Sequence, residues 1–191
     1  MMYPLTISGR RVILRDFRDD DAMAAQAVVG DGRVTRSLSF DARSLAETKA
    51  MLDGAIQRAH NDPRTELYLA VTRLDDELIG FARLGLDGVQ AAKLGYAIRA
   101  DQWGRGYATD AAEILTDYGF RELKLHRISA AIGPDNASSI ALVNKLGFVY
   151  EGRIRDHVYT NGSWRDSLLY SVLSNEWARS SEQRPDALSV R

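Results

Sequence analysis

The chain contains no cysteine. That excludes disulfides, thiolate metal sites and a cysteine nucleophile, and it fits a reducing compartment. Net charge is nearly absent too. Twenty-five basic side chains face twenty-six acidic ones, for a formal charge of −1. Such a balance exerts no general pull on nucleic acid or an anionic membrane, so a phosphate-bearing ligand must be held by local geometry. No segment approaches the ~20 apolar residues of a membrane helix. The start, Met1 to Thr6, lacks the charged head and apolar run of a secretory signal. The expected location is therefore the cytoplasm. What is present is an ordinary globular composition, 45% hydrophobic and 27% charged over 191 residues, enough for one domain with a sizeable core.

Periodicity divides the chain into elements. Residues 10–17 read as a first strand, and Asp19-Asp20-Asp21 supplies helix-starting acids before Ala22, Ala25, Val28 and Val29. Residues 30–43 read as loop. Ser44 with Glu47 forms a capping-box pattern ahead of a helix that ends near His60 to Pro63. Leu67–Thr72 and Leu78–Leu84 flank a turn-like Asp75-Asp76-Glu77 and are expected to form a hairpin. Lys93–Arg99 is a strand, 106–122 an amphipathic helix, Leu125–Ile132 a strand and 137–146 a short helix. Two last strands, about 148–159 and 165–173, are separated by Asn161-Gly162, a hairpin turn signal. Residues 178–191 are small, polar and charged, and are expected to be a disordered tail behind a domain spanning 1–177. The order predicts an α/β domain built on a parallel strand–helix–strand crossover at 93–132.

The most informative stretch runs from Ile98 to Thr109. It leaves a strand, passes Gly104-Arg105-Gly106 and enters a helix at Tyr107-Ala108-Thr109. Glycine admits close backbone approach and positive φ, and a helix start offers unpaired N–H donors at a positive dipole end. Together they make an anion site suited to a pyrophosphate, with Arg105 as a nearby charge. A plain glycine turn between strand and helix is the competing explanation. Two nucleotide readings fall. A dinucleotide fingerprint needs glycine where Thr109 stands, and the nucleotide-hydrolase loop needs Gly-Lys-Ser/Thr.

A second segment, Asn136 to Phe148, follows the next strand after a short Gly-Pro-Asp loop. With the cradle before it, the arrangement resembles the GNAT superfamily of N-acetyltransferases. The cradle is similar to that family's acyl-CoA motif, Gln/Arg-x-x-Gly-x-Gly/Ala, with Gly106 and Ala108 matching and Trp103 departing at the first position. The form Trp-Gly-Arg-Gly-Tyr-Ala-Thr resembles the RimJ/RimL subgroup, the ribosomal-protein N-terminal acetyltransferases. Arg11–Arg15 and Gly162–Trp177 agree with it. The resemblance implies a single domain with a mixed, mostly antiparallel sheet of about seven strands, splayed at its centre and flanked by about four helices. It also implies acetyl-CoA as cosubstrate, with no metal.

Acetyl transfer to an amine requires a fixed thioester, a deprotonated amine, a stabilised oxyanion and a leaving thiolate that is protonated or already stable. Direct attack needs no covalent enzyme intermediate. The resemblance places the pyrophosphate on the backbone N–H groups of Gly104, Arg105, Gly106, Tyr107, Ala108 and Thr109. The pantetheine arm would pair like an added strand with the end of 93–99, at Ile98, whose amide lies where it could also serve the oxyanion. Gly95 reads either as a bulge that splays the strand or as a packing glycine. Asn136 reads as a helix N-cap, as a contact to pantetheine, or as both. Ser139 is either a first-turn serine satisfied locally or, by the resemblance, the general acid near the sulfur. Ser138 is adjacent, and the tyrosine that many relatives carry one turn on is replaced by Leu142, Val143 and Asn144. For the base, strand 93–99 offers no carboxylate. Val158 stands where some relatives carry glutamate. Asp156, on Val158's face by two-residue periodicity, is then the candidate, with Asp166 and a water chain as alternatives.

The leading function is thus an acyl-CoA-dependent N-acetyltransferase of a primary amine, either a protein N-terminus or a small molecule such as a polyamine or antibiotic. A non-catalytic acyl-CoA sensor is the alternative from another class. No nucleic-acid or membrane partner is expected, and the chain is expected to be a monomer or homodimer.

Overall fold

The alternating and amphipathic runs fold into one open sheet with helices on both faces. In the computed structural model, described over residues 3–177, the strands are β1 (Thr6–Ser8), β2 (Val12–Asp16), β3 (Glu66–Arg73), β4 (Leu78–Leu86), β5 (Ala91–Ile98), β6 (Arg127–Ile132), β7 (Val149–Thr160) and β8 (Ser163–Leu173). The helices are α1 (Ala22–Val29), α2 (Gly32–Thr35), α3 (Leu45–Ala59), α4 (Tyr107–Arg121) and α5 (Ala137–Lys145), with a last helical stretch at 174–177. The expected tail, 178–191, lies outside the described residues.

Several local signals act as expected. Ser44 accepts from the Glu47 amide while the Glu47 carboxylate accepts from the Ser44 amide, so the capping box starts α3. Asn161 and Gly162 both take positive φ, 52° and 72°, in the two-residue turn joining β7 to β8. Two elements exceed the sequence-based expectation. Strand β1 is an added edge strand of three residues, too short for alternation to reveal, and makes the sheet eight-stranded. Helix α2 occupies part of the expected 30–43 loop, started by an Asp31 cap on the Arg33 amide.

The sheet order is β1-β2-β3-β4-β5-β6-β8-β7. Every pairing is antiparallel except β5–β6, which are joined through α4. One face packs Leu14, Leu69, Leu94 and Ile98 against the apolar side of α4, including Ala111, Ile114 and Leu115, and against Leu142 and Val143 of α5. The other face packs Phe17, Ala70, Phe81 and Ala97 against α1 and α3.

The parallel pair is the short one. β5 and β6 are in register only at Ala91–Arg127, Ala92–Ile128 and Lys93–Ser129. Beyond that point β5 stays on β4 as far as Ile98, and β6 stays on β8 as far as Ile132. The two strands therefore part. Gly95 does not cause this: its pairing with Arg83 is regular, so the bulge reading fails. A Cβ at Gly95 would meet no heavy atom within 4 Å, so the packing reading fails as well.

Helix α4 is fixed from its first turn. The Asp110 carboxylate is buried and accepts the Arg11 amide at 2.7 Å and the Val12 amide at 3.1 Å, with the Arg10 amide at 3.4 Å. A Cβ on Gly9 would come within 2.5 Å of that carboxylate, so the chain turn there is shaped around it. Asp110→Ala removes a charged acceptor and strands buried amides, which should cost about 3 kcal/mol in urea unfolding, with Asp110→Asn losing less. A loss below ~0.5 kcal/mol for the alanine variant would contradict this tether.

Candidate active site

The cradle begins where β5 ends. Gly104 and Gly106 adopt φ of +75° and +80° on either side of Arg105, a conformation strained for residues with a Cβ. Gly106 is the N-cap of α4, and among the described residues no side chain caps the helix start with a hydrogen bond. The first intrahelical bond there runs from the Asp110 amide to the Gly106 carbonyl. The amides of Tyr107, Ala108 and Thr109 consequently have no partner within the helix and face outward at its positive end. Residues 104–106 are exposed and Tyr107 to Thr109 half-buried, so the donors are reachable. Arg11 lies against this loop: its guanidinium donates to the Arg105 carbonyl at 3.4 Å, and its Cδ and Nε are 3.8 Å from where a Gly106 Cβ would be. Arg11 adds a second positive charge that the sequence motif did not mark.

Strand β5 presents an open edge next to the cradle. Arg99 donates its amide to the Ile79 carbonyl of β4, and Ile98 stands opposite Gly80. By antiparallel alternation the backbone groups of Ile98, Tyr96 and Leu94 point away from β4, into the space where β6 has parted. The Ile98 carbonyl is already engaged, because the Trp103 indole N–H donates to it at 2.7 Å. The residue that departs from the family pattern thus folds back on the strand end. What Ile98 offers without competition is its N–H.

Across the gap stands the start of α5. Asn136 is its N-cap, with Oδ1 accepting the Ser139 amide at 3.1 Å and the Ser138 hydroxyl at 3.0 Å. The capping role is therefore realised, and it uses the amide oxygen alone. Ser138 is exposed and occupied by this contact, whereas Ser139 is half-buried and lies beside Tyr96 of β5. Burial pushes the Tyr96 phenol up to about 12, partly offset by Ser139. No short-range pattern marks Tyr96, because it and Ser139 are far apart in sequence and meet only in the fold.

The carboxylate candidates lie on the β7–β8 hairpin. Between Ile154 and Val158 the register of β7 slips against β8, and Asp156 takes φ 47° in this bulge. The two-residue periodicity that put Asp156 on Val158's face does not run through it. Asp156 is exposed, and its amide donates to Asp166 at 2.9 Å. Asp166 also accepts from Arg153 Nε at 2.5 Å. These bonds, to the Asp156 amide first and then to Arg153, hold the Asp166 carboxyl below its ordinary value and make it a poorer base. The same hairpin is fastened to the 36–43 loop: Arg165 donates to the carbonyls of Arg36 and Leu38, and the Asn161 amide donates to Asp41 at 2.8 Å. The loop and the hairpin are thus joined into one wall.

Comparison with known proteins agrees with this geometry. Residues 11–149 match the acetyltransferase (GNAT) domain family. The chain is 30% identical to the uncharacterized N-acetyltransferase YoaA of Bacillus subtilis (strain 168), over 90% of this chain and 98% of that protein. It is 32% identical to the ribosomal protein uS5-alanine N-acetyltransferase of Escherichia coli (strain K12), over 54% of this chain and 55% of that protein. Among solved structures, Mycobacterium smegmatis RimJ in complex with CoA-disulfide superposes with a TM-score of 0.79 at 25% identity, covering 97% of this chain and 91% of that one. An open-ended helix start beside a parted strand pair, inside a match that spans residues 11–149, establishes that the chain belongs to the GNAT family of N-acetyltransferases.

Proposed function

We propose that this acetyltransferase moves the acetyl group of acetyl-CoA to the α-amine of a protein N-terminus by direct attack, with a ribosomal protein as the favoured acceptor. The observation that carries the cosubstrate half is the run of unpartnered amides at 107–109 behind two positive-φ glycines. In this reading those amides, with Arg105 and Arg11 nearby, hold the pyrophosphate. The Ile98 N–H, on the open side of β5, is placed for the thioester oxygen. Asn136 keeps α5 in register, and Ser139 serves the leaving sulfur. Acetyl-CoA supplies the activated acyl group, and the chain's residues bind, orient and move protons around it. The ribosomal acceptor is supported by the relative named for uS5 alanine and by the RimJ neighbour.

The preference for an α-amine follows from proton bookkeeping. A free α-amine has a pKa of roughly 7.7–8 and a lysine one near ~10.4. Deprotonation at neutral pH is therefore easier for the α-amine by about 3.5 kcal/mol, which a strong base or desolvation would otherwise supply. Strand β5 carries no carboxylate, and Asp166 is held ionised by Arg153 and the Asp156 amide. In this reading Asp156 is the base, acting through water from its exposed bulge. A site so sparsely equipped suits an acceptor that needs little help.

Three measurements test these assignments. Acetyl-CoA should raise the melting temperature of the wild type but not of Gly106→Asp, which forces a side chain onto positive φ and sets a carboxylate against phosphate. Equal stabilisation of both proteins would remove the pyrophosphate from the cradle. Ser139→Ala should lower kcat by ~10²-fold while acetyl-CoA KM changes little. An unchanged kcat would leave Ser139 a helix residue. Finally, kcat/KM should favour short peptides with free N-termini over the same peptides blocked but carrying lysine, and over polyamines. A preference for either competitor would overturn the α-amine acceptor.

A further inference from the structure

We infer that Tyr96 is a positioning residue for Ser139, its phenol holding the serine hydroxyl across the gap that opens where β5 leaves β6. The inference rests on the role proposed above for Ser139 and names the group through which that role is exercised.

The geometry comes from three elements. Tyr96 lies on β5 and packs into the core cluster that holds Leu94, Ile98 and the inner side of α4 and α5. Its hydroxyl is fully buried and completes no hydrogen bond among the described residues. A buried phenol in that condition is uncommon, since the polar handle of a tyrosine usually finds a partner. Ser139, on the first turn of α5, is the side chain close enough to influence the phenol's ionisation. The two hydroxyls therefore adjoin without being aligned, which is the state expected of a pair that tightens when the reacting group is bound.

Neighbouring contacts single out Ser139 as the mobile member. Its amide is pinned by Asn136 Oδ1, so the backbone is fixed and only the hydroxyl rotamer remains to be set. Ser138 is unsuited to the task, because its hydroxyl is turned to Asn136 on the exposed side. Tyr96 has less freedom: its half-buried ring packs against the core, and its hydroxyl stays protonated well above neutral pH because it is buried. A rigid donor next to a rotatable serine sets the direction in which the serine donates.

The chemistry follows with the protons accounted for. The amine nitrogen forms its bond to the acetyl carbon and releases its proton to water. The C–S bond breaks and its electron pair goes to sulfur. Ser139 donates a hydrogen bond from its O–H to the departing sulfur, keeping its proton, while it accepts one from Tyr96, which also keeps its proton. The thiolate takes up a proton from water, which balances the one the amine released.

The test is a double-mutant cycle in the full chain with acetyl-CoA and a free-N-terminus peptide. Tyr96→Phe keeps the ring and removes only the hydroxyl. It should lower kcat by about ten-fold with acetyl-CoA KM unchanged, and should lower kcat no further in a Ser139→Ala background. The acetyl-CoA thermal shift should be the same in Tyr96→Phe and wild type, which separates positioning from damage to the fold. An unchanged kcat in Tyr96→Phe would overturn the inference, as would an equal loss in both backgrounds. An unchanged kcat in Ser139→Ala would instead overturn the serine's role, and Tyr96's with it.

Discussion

The parting of β5 and β6 after three paired residues is the constraint on which the remaining site depends. A parallel pair that ran the full length of both strands would satisfy the backbone of Leu94, Tyr96 and Ile98 internally. It would leave no edge for another group to pair with. Because β5 is held by β4 and β6 by β8, each strand keeps one complete ladder and the sheet survives the gap. The opening thus costs the pairing at one side of a few residues. It also dictates what stands opposite. β6 ends at Ile132 and the chain turns through Gly133 to Asn136 into α5, so the first turn of that helix lies across from Tyr96.

Two fasteners keep the opening from being a weakness. At one end Asp110 ties α4 to the start of β2, which fixes the open helix start without using the amides at 107–109. At the other, Arg165 and Asn161 tie the β7–β8 hairpin to the 36–43 loop. Charges elsewhere are largely cancelled in pairs. Arg64 forks onto Asp16 and Arg15 onto Asp21, both deeply buried, while Arg99 spans Asp101 and Glu77. Near-zero net charge is therefore compatible with a locally basic cradle, because Arg105 and Arg11 stand beside it among so many neutralised neighbours.

What the sequence disclosed was local. The capping box at Ser44, the Asn161-Gly162 turn, the glycine pair before α4 and the cap at Asn136 each lie within a few residues and obey short-range rules. What it withheld was of two kinds. Three residues of β1 and four of α2 are too few for periodicity to accumulate. The other kind joins residues far apart along the chain: Asp110 to Arg11, Arg165 to Leu38 and Tyr96 to Ser139. Composition cannot indicate such pairs. The facing of Asp156 was illegible for another reason. Period-two reasoning presumes an unbroken strand, and the bulge between Ile154 and Val158 breaks it.

Trp103 illustrates how a departure from a family pattern acquires physical meaning. Read as a sequence, it is a mismatch at the first position of the acyl-CoA motif. In the fold its indole N–H satisfies the Ile98 carbonyl, a group left open by the same parting of strands. The ring is half-exposed, so the hydrogen bond and not burial explains its placement. A glutamine or arginine there could donate similarly but on a flexible stem, losing more side-chain entropy on fixing. The tryptophan thereby defines which backbone group at the end of β5 stays available to a ligand. That group is the Ile98 N–H, a donor next to the cradle's other donors. The Ile98 N–H, the amides at 107–109 and the guanidinium groups of Arg11 and Arg105 consequently gather donors at one place, which suits a ligand rich in acceptor oxygens.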